Sequence, residues 1–385
     1  MNGFWQNRVA CLVAIATQGV GLSLLSAGMF DTAQAQPSGD NVMGHFMNQC
    51  LQGDRLDEVS RRTMQALLNF AATDDCQAAE TYLSSTPYLT LNDAQIQDLR
   101  ALSSFPQLIE LYLEGNQIED LTPLADLGNL QVLALNHNRI SELQPLAQLI
   151  NLNQLYLSHN QIEDLNALSN LVQLTDLELA DNTIQNLRPI SSLLNLTTLS
   201  LSHNQIFDLS PLSSLENLKT LDLSSNQIER LDPIASLSEL TQLNLNNNQF
   251  SSFQPLLSLD ALIEFNGSEN PISEQDMNRV EQVVNLRRLN RVSTCLNCDL
   301  SNLDLSQIDL IGVYLEGADL SYSNLQEVDL VGANLENANL RYTNLAGADL
   351  EGAILTHAEL EGANLQNANL CDAVMPDGSI VECAP

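Results

Sequence analysis

Basic and aromatic residues are what this chain has least of. Fourteen Lys and Arg stand against 48 Asp and Glu, a formal charge of −34. A surface that acidic repels nucleic-acid phosphates and anionic lipid, so neither is an expected partner, and cationic partners are favoured. Aromatic side chains make up 4% of the residues, and the one tryptophan is Trp5. Any core is therefore aliphatic. A hydrophobic content of 44% is too high for an acidic chain that stays unfolded. No nucleophile–base motif, phosphate loop or zinc-hydrolase helix occurs, so neither catalysis nor a cofactor is expected. Long apolar runs are missing beyond Phe30, which leaves nothing in the mature chain to insert into a membrane.

The first 35 residues read as an export signal. Arg8 supplies the positive start, an uncharged stretch runs from Val9 to Phe30, and Ala33-Gln34-Ala35 gives a small-x-small cleavage site before Gln36. A retained anchor is the competing reading, because the apolar stretch is long. Cleavage implies a secreted or periplasmic protein. It also leaves six cysteines, Cys50, Cys76, Cys295, Cys298, Cys371 and Cys383. An even number in an exported chain points to disulfides.

Repeats occupy most of the mature chain. Asparagine recurs every 22 residues, at Asn116, Asn138, Asn160, Asn182, Asn204, Asn226, Asn248 and Asn270. One copy of the frame reads Leu130-x-x-Leu133-x-Leu135-x-x-Asn138-x-Ile140-x-x-Leu143-x-x-Leu146. Leu133 and Leu135 alternate as in a short strand with one buried face. The threefold spacing after Asn138 suits a 3₁₀ segment on the opposite side. Pro123, Pro145, Pro189, Pro211, Pro233 and Pro255 fall at one slot there, with Ala167 the exception. That slot fits the start of a helical turn, where the missing N–H costs nothing. Each asparagine is expected to turn inward and satisfy backbone groups of the turn.

The frame resembles the internalin-type, 22-residue class of leucine-rich repeat over about residues 89–273. The resemblance implies a curved horseshoe with strands on the concave side, and recognition of protein by that side. Residues 36–88 read as a helical cap over its first coil, with Leu56, Val59, Met64, Leu67 and Leu68 on one helical face. Alternation places Tyr112, Tyr156, Asp176, Glu178, Asp222 and Asn244 on the concave face. A neighbouring column repeats at the same step: Gly115, His137, His159, Asp181, His203, Ser225 and Asn247. The candidate protein-binding residues are Tyr112, His137, Tyr156, His159, Glu178, Asp181 and His203. A divalent metal on His137, His159 and Asp181 is the sharper alternative to simple turn filling, which is preferred, so no metal is expected.

From Cys295 the period becomes five. Leucine holds every fifth position from Leu300 to Leu370, with small residues such as Ala333 and Ala338 two places earlier. The unit A-(D/N)-L-x-x resembles the pentapeptide-repeat family over about residues 295–375. That family implies a right-handed quadrilateral β-helix with four units per coil, so that residues 20 apart stack. Val313 and Val328 are bulkier than the family prefers and predict local distortion. Asp309, Asp329, Asp349 and Asn369 should form one column, and Asp299, Asp319, Asn339 and Glu359 another. A solvated acidic face is favoured over a cation-binding ladder. Tyr322 and Tyr342 should also stack.

The fold class expected is thus a repeat solenoid: helical cap, leucine-rich-repeat horseshoe, helical junction over residues 274–294, pentapeptide β-helix, and a tail at residues 376–385. Ser273 and Asp276 mark a helix N-terminus in the junction. Its arginines Arg279, Arg287, Arg288 and Arg291 are expected to clamp two acidic solenoids together. Cysteine positions at solenoid ends favour Cys50–Cys76, Cys295–Cys298 and Cys371–Cys383 over a zinc or redox Cys-x-x-Cys. The function expected is a non-catalytic extracytoplasmic scaffold that binds an unidentified protein. The alternative is an acidic DNA mimic that binds an enzyme such as gyrase, which the export signal disfavours.

Overall fold

The computed structural model describes residues 44–383. The export signal expected over residues 1–35 lies outside them. Three helices come first: α1 (His45–Cys50), α2 (Glu58–Ala71) and α3 (Cys76–Ser85). Asp57 and Asp75 cap the second and third by accepting from Ser60 N (2.8 Å) and Ala78 N (2.7 Å), which satisfies otherwise orphaned donors. Phe46, Leu56, Met64, Leu67, Ala79 and Leu83 are buried in the core they share with the first coil. Val59, assigned to that face from sequence, is exposed instead. The buried face of α2 runs through Ser60, Thr63, Met64 and Leu67, because α2 meets the first coil through polar contacts as well as apolar ones.

Those polar contacts converge on Asp98. Its carboxylate accepts from Ser60 Oγ (2.8 Å), Gln49 Nε2 (3.3 Å), Arg100 Nε (2.9 Å) and Arg100 Nη2 (2.8 Å). Its carbonyl accepts from Thr63 Oγ1 at 2.7 Å. Burial pushes this carboxyl upward, but the hydrogen bonds and charge of Arg100 and the Ser60 bond win and hold it at about 2. A disulfide between Cys50 and Cys76, with Cα atoms 5.9 Å apart, ties α1 to α3.

Nine three-residue strands come next, β1 (Tyr88–Thr90) through β9 (Glu264–Asn266), parallel and in chain order. Their register steps by 22 residues, as in Leu133↔Leu155 and Leu155↔Leu177. Short 3₁₀ turns such as Thr122–Leu124 and Arg188–Ile190 return the chain, and proline sits at their second position. The asparagine ladder is complete at Asn182. Its Nδ2 donates to the carbonyls of Leu157 (3.0 Å), Leu179 (3.1 Å) and Ala180 (3.2 Å), and its Oδ1 accepts from Ile162 N (2.9 Å). One amide therefore serves its own turn and the preceding coil. At the last coil Asn270 Oδ1 is buried without a partner. Gly267 there leaves space that the Phe265 ring fills; a Cβ on Gly267 would stand 2.4 Å from Phe265 Cζ.

Helix α4 (Glu274–Val292) begins at Ser273, whose Oγ accepts from Asp276 N at 3.1 Å. Its early residues Val280 and Val284 close the first core, whereas Leu286 and Leu289 pack on the second. The arginine clamp expected from sequence is half correct. Arg287 donates to the carbonyls of Leu257 (2.7 Å) and Leu256 (3.4 Å), and Arg288 to that of Ile263 (2.7 Å), all in the first solenoid. The second solenoid is held by amides: Gln282 donates to Ser301 O (3.0 Å) and Asn285 to Asp299 O (3.1 Å). Arg279 and Arg291 are exposed. Helix geometry explains the split, since positions 282, 285 and 289 share one face and 280, 284, 287 and 288 the other.

In the second solenoid, parallel bridges join residues 20 apart, including Asp299↔Asp319↔Asn339↔Glu359. The Asp/Asn slot has a backbone role: Asp319 Oδ1 accepts from Ser321 N (2.9 Å), and the same i, i+2 bond recurs at Asp329, Asn339 and Asp349. Asn339 and Asn369 then donate to Asp319 (3.0 Å) and Asp349 (2.9 Å) one coil back, and Asn339 separates Asp319 from Glu359, whereas Asp299 still stacks on Asp319 and Asp329 on Asp349. Asp329, Asp349 and Asn369 pair as expected, but no bridge joins Asp309 to Asp329. Val313 and Val328 are buried, and their turn bonds measure 3.3 Å, against 3.0 Å at Ala318 and Ala333; Thr343 has the same 3.3 Å, so the length is not particular to valine. Cys295–Cys298 opens this solenoid and Cys371–Cys383 closes it, with Cα separations of 5.6 and 4.7 Å. Between the last two, Val374 and Ile380 form an antiparallel bridge about Asp377-Gly378, where Gly378 takes φ 82°. Among the described residues no helix is long and apolar enough to cross a membrane.

Candidate protein-binding surface

Strand alternation buries the central leucine of each strand from β1 to β8, with a half-buried Phe265 in its place on β9, so the sheet presents columns at 22-residue steps. The seven candidate residues fall into two such columns. Tyr112, Tyr156 and Glu178 stand on strands β2 (Glu110–Tyr112), β4 (Gln154–Tyr156) and β5 (Asp176–Glu178). His137, His159, Asp181 and His203 lie just past the strands, in the turn.

The turn column has a backbone cause that sequence reading missed. Every member from Asp93 to Glu269 has a positive φ, between 53° and 67°. Glycine, asparagine, aspartate and histidine tolerate that region best, which is why these types recur there. The side chains still interact. His137 and His159 rings stack at 4.0 Å and 11°. His159 Nδ1 lies 3.5 Å from Asp181 Oδ2, and His203 Nδ1 lies 4.0 Å from Asp181 Oδ1. Burial lowers the His159 pKa, and the opposing pull of Asp181 does not fully offset it. Three ligand atoms are not brought together here. Among the described residues, the cluster with that spacing is Cys371, Asp372 and Cys383, whose sulfurs are joined in a disulfide.

The strand column forms an acidic, aromatic patch. Tyr112 OH donates to Glu110 Oε2 at 2.9 Å. Burial and then Glu110 push its pKa up to about 12, and burial beside Asp176 and Glu178 raises Tyr156 further. Glu178 is pushed up to about 7, first by burial, then by Glu114 and Asp176. Glu114 and Asn136 also belong to this patch, and sequence reading passed over them. Asn136 Nδ2 donates to Glu114 Oε1 (3.0 Å), its Oδ1 accepts from Ser158 N (2.7 Å), and its amide also opposes the rise of the Glu178 pKa. The 22-residue column of Glu114, Asn136 and Ser158 was the available signal. Farther along, Asp222 Oδ1 accepts from Ser224 N (2.9 Å) and Asn244 is buried, so that end is committed to local turns.

Comparison with known proteins agrees with both halves. Leucine Rich repeats (2 copies) match residues 128–170 and 216–258, and a Leucine Rich Repeat matches 195–216. Pentapeptide repeats (8 copies) match residues 298–337 and 333–372. The structure of an internalin C2 from Listeria monocytogenes is similar at 31% identity, with a TM-score of 0.51, over 54% of this chain and 91% of that one. The chain belongs to the internalin-type leucine-rich-repeat family. An internalin F from the same organism shares the fold at 22% identity, with a TM-score of 0.53, over 77% of this chain and 93% of its own. A search of curated proteins finds no match. This internalin-type chain is a repeat solenoid with the form of a protein-binding scaffold, and it carries a second repeat family after the first.

Proposed function

We propose that the protein is a non-catalytic scaffold, exported to the periplasm or beyond, that binds another protein through the concave face of its leucine-rich repeats. The pentapeptide half, read as a right-handed quadrilateral β-helix, serves as a rigid extension. The observation that carries this reading is the patch around Tyr112, Tyr156 and Glu178. Large amphipathic rings stand on the sheet beside carboxylates for which, among the described residues, no Lys or Arg supplies an ion pair. Three disulfides support an oxidising compartment.

The test has two parts. Mass spectrometry of the natural protein should find a mature N-terminus near Gln36, and an intact Met1 would refute cleavage of the signal. The full chain should capture a partner from the envelope or medium. Tyr156→Ala with Glu178→Lys should abolish capture, while Glu163→Ala, outside the sheet, should leave it unchanged. Equal capture by both variants would refute the concave reading.

A further inference from the structure

The two ends of the strand ladder are finished differently. Helix α4 lies against β9, where Arg288 donates to Ile263 O. At the other end β1 is the outermost strand, and among the described residues no strand pairs with its outer side. Leu91 N donates to Tyr112 O (2.8 Å) and Asp93 N to Glu114 O (2.9 Å), so this set of residues turns its main chain toward β2. Main-chain groups alternate sides along a strand, and those of Tyr88 and Thr90 therefore face away from β2. Both residues are exposed, Tyr88 by 51%. Helix α2 does not close this side. A cleft of about 490 Å³ remains between helix and strand, lined by Ala66 and Phe70 of α2 and by Thr90 and Leu91. The Phe70 ring stands 6.2 Å from that of Tyr88 and walls the same edge. Arg62 is the charged residue of the lining and is already paired with Glu58. Natural edge strands are commonly blunted by lysine, proline or an inward charge, and Tyr88-Leu89-Thr90 has none of these.

We propose that this edge takes an extended, uncharged segment of another protein, added to the sheet beside β1. Main-chain hydrogen bonds to Tyr88 and Thr90 hold it, and pockets for alternate side chains select it. One set of its side chains lies level with the buried Leu89 and Leu91 and enters the cleft toward Ala66 and Phe70. Aliphatic residues suit those positions. The other set lies beside Tyr88 and Thr90, in solvent. Charge decides against the alternatives: an acidic segment is repelled by a chain of −34, and a basic side chain in the cleft would meet Arg62 with no carboxylate in the lining. Because the edge binds through main chain, the inference does not depend on the tyrosine and carboxylate patch.

The experiment measures fluorescence anisotropy of a dye-labelled hexapeptide of alternating valine and threonine, blocked at both ends, with the full-length chain. Binding should be saturable. Two N-methylated versions, one blocked at every valine and one at every threonine, decide the mode, since only one set turns its N–H groups to β1. One version should bind at least about tenfold more weakly and the other about as well as the parent. No saturable binding, or the same effect from both versions, would overturn the inference. On the protein side, Thr90→Pro removes an outward donor without touching the β1–β2 ladder and should weaken binding at least about tenfold, whereas Thr90→Val should not. Wild-type affinity in Thr90→Pro would also overturn it, and the methylated peptides keep the test decisive should that variant fail to fold. The Tyr156→Ala, Glu178→Lys variant should bind the peptide as wild type does, so loss of partner capture there and loss of peptide binding at Thr90 report on separate surfaces. Loss of peptide binding in that double variant would overturn the assignment to the β1 edge.

Discussion

At the scale of single residues, two side chains set the behaviour of the first solenoid. Asn182 is buried and makes four hydrogen bonds that join its own turn to the coil before it. Asn182→Leu strands those backbone groups and should cost about 3 kcal/mol, whereas Glu163→Ala should stay within about 0.5 kcal/mol. Equal midpoints in a denaturant titration would contradict the inward register. Glu178 is the second case. Its folded pKa of about 7 is raised above the ordinary carboxylate value, so the folded state binds a proton that the unfolded chain has already lost. Its ionisation therefore removes stability as pH rises between about 4.5 and 7, by an amount on the order of 2–3 kcal/mol. Glu178→Gln should flatten that slope and raise the unfolding midpoint at pH 7.5 while leaving it unchanged at pH 4. A variant less stable than wild type at pH 7.5 would show that the carboxylate is not held against its own ionisation.

At the scale of elements, repeats were legible in the sequence and junctions were not. Asn138 or Leu335 announces its neighbours because each coil is stacked on a near copy of itself, so a single spacing fixes both register and contact. Ser273 was legible for the same local reason, since a helix start needs only its own first turn. Asp98, Gln282 and Asn285 were not, because their partners on other elements lie 14 to 49 positions away and follow no period. Val59 was misplaced because apolar spacing alone cannot say that Ser60 and Thr63 would be the residues turned toward the first coil. The tail hairpin had a signal in Asp377-Gly378 that went unused. Asp98 also yields a prediction. Its depressed pKa, about 2, means that docking of the cap is stabilised above about pH 4 and weakened as pH falls toward 2. Asp98→Asn should lower stability by about 1–3 kcal/mol at pH 7 and cost little at pH 2. Limited proteolysis should cut the variant first between α3 and β1. Unchanged cleavage at pH 7 would show that the cap is held by its apolar face and disulfide alone.

At the scale of the molecule, two aliphatic cores meet at one helix. Val280 and Val284 belong to the first and Leu289 to the second, which makes α4 a shared end cap. Stacked coils of this kind are stable because each buries its neighbour, and they leave outward columns free to vary. In this chain the strand column is mostly neutral beyond Glu178, with Asp222 the exception, and it concentrates tyrosine and carboxylate near its start. Recognition by that region is the central claim, and hydroxyl-radical footprinting of the full chain with its captured partner tests it most directly. Complex formation should protect Tyr112 and Tyr156, and with them His137, His159 and His203. Tyr322 and Tyr342, stacked at 5.0 Å on the second solenoid, and the exposed Phe207 should react as in the free chain. Protection of Tyr322 and Tyr342 with unchanged reactivity at Tyr112 and Tyr156 would contradict it.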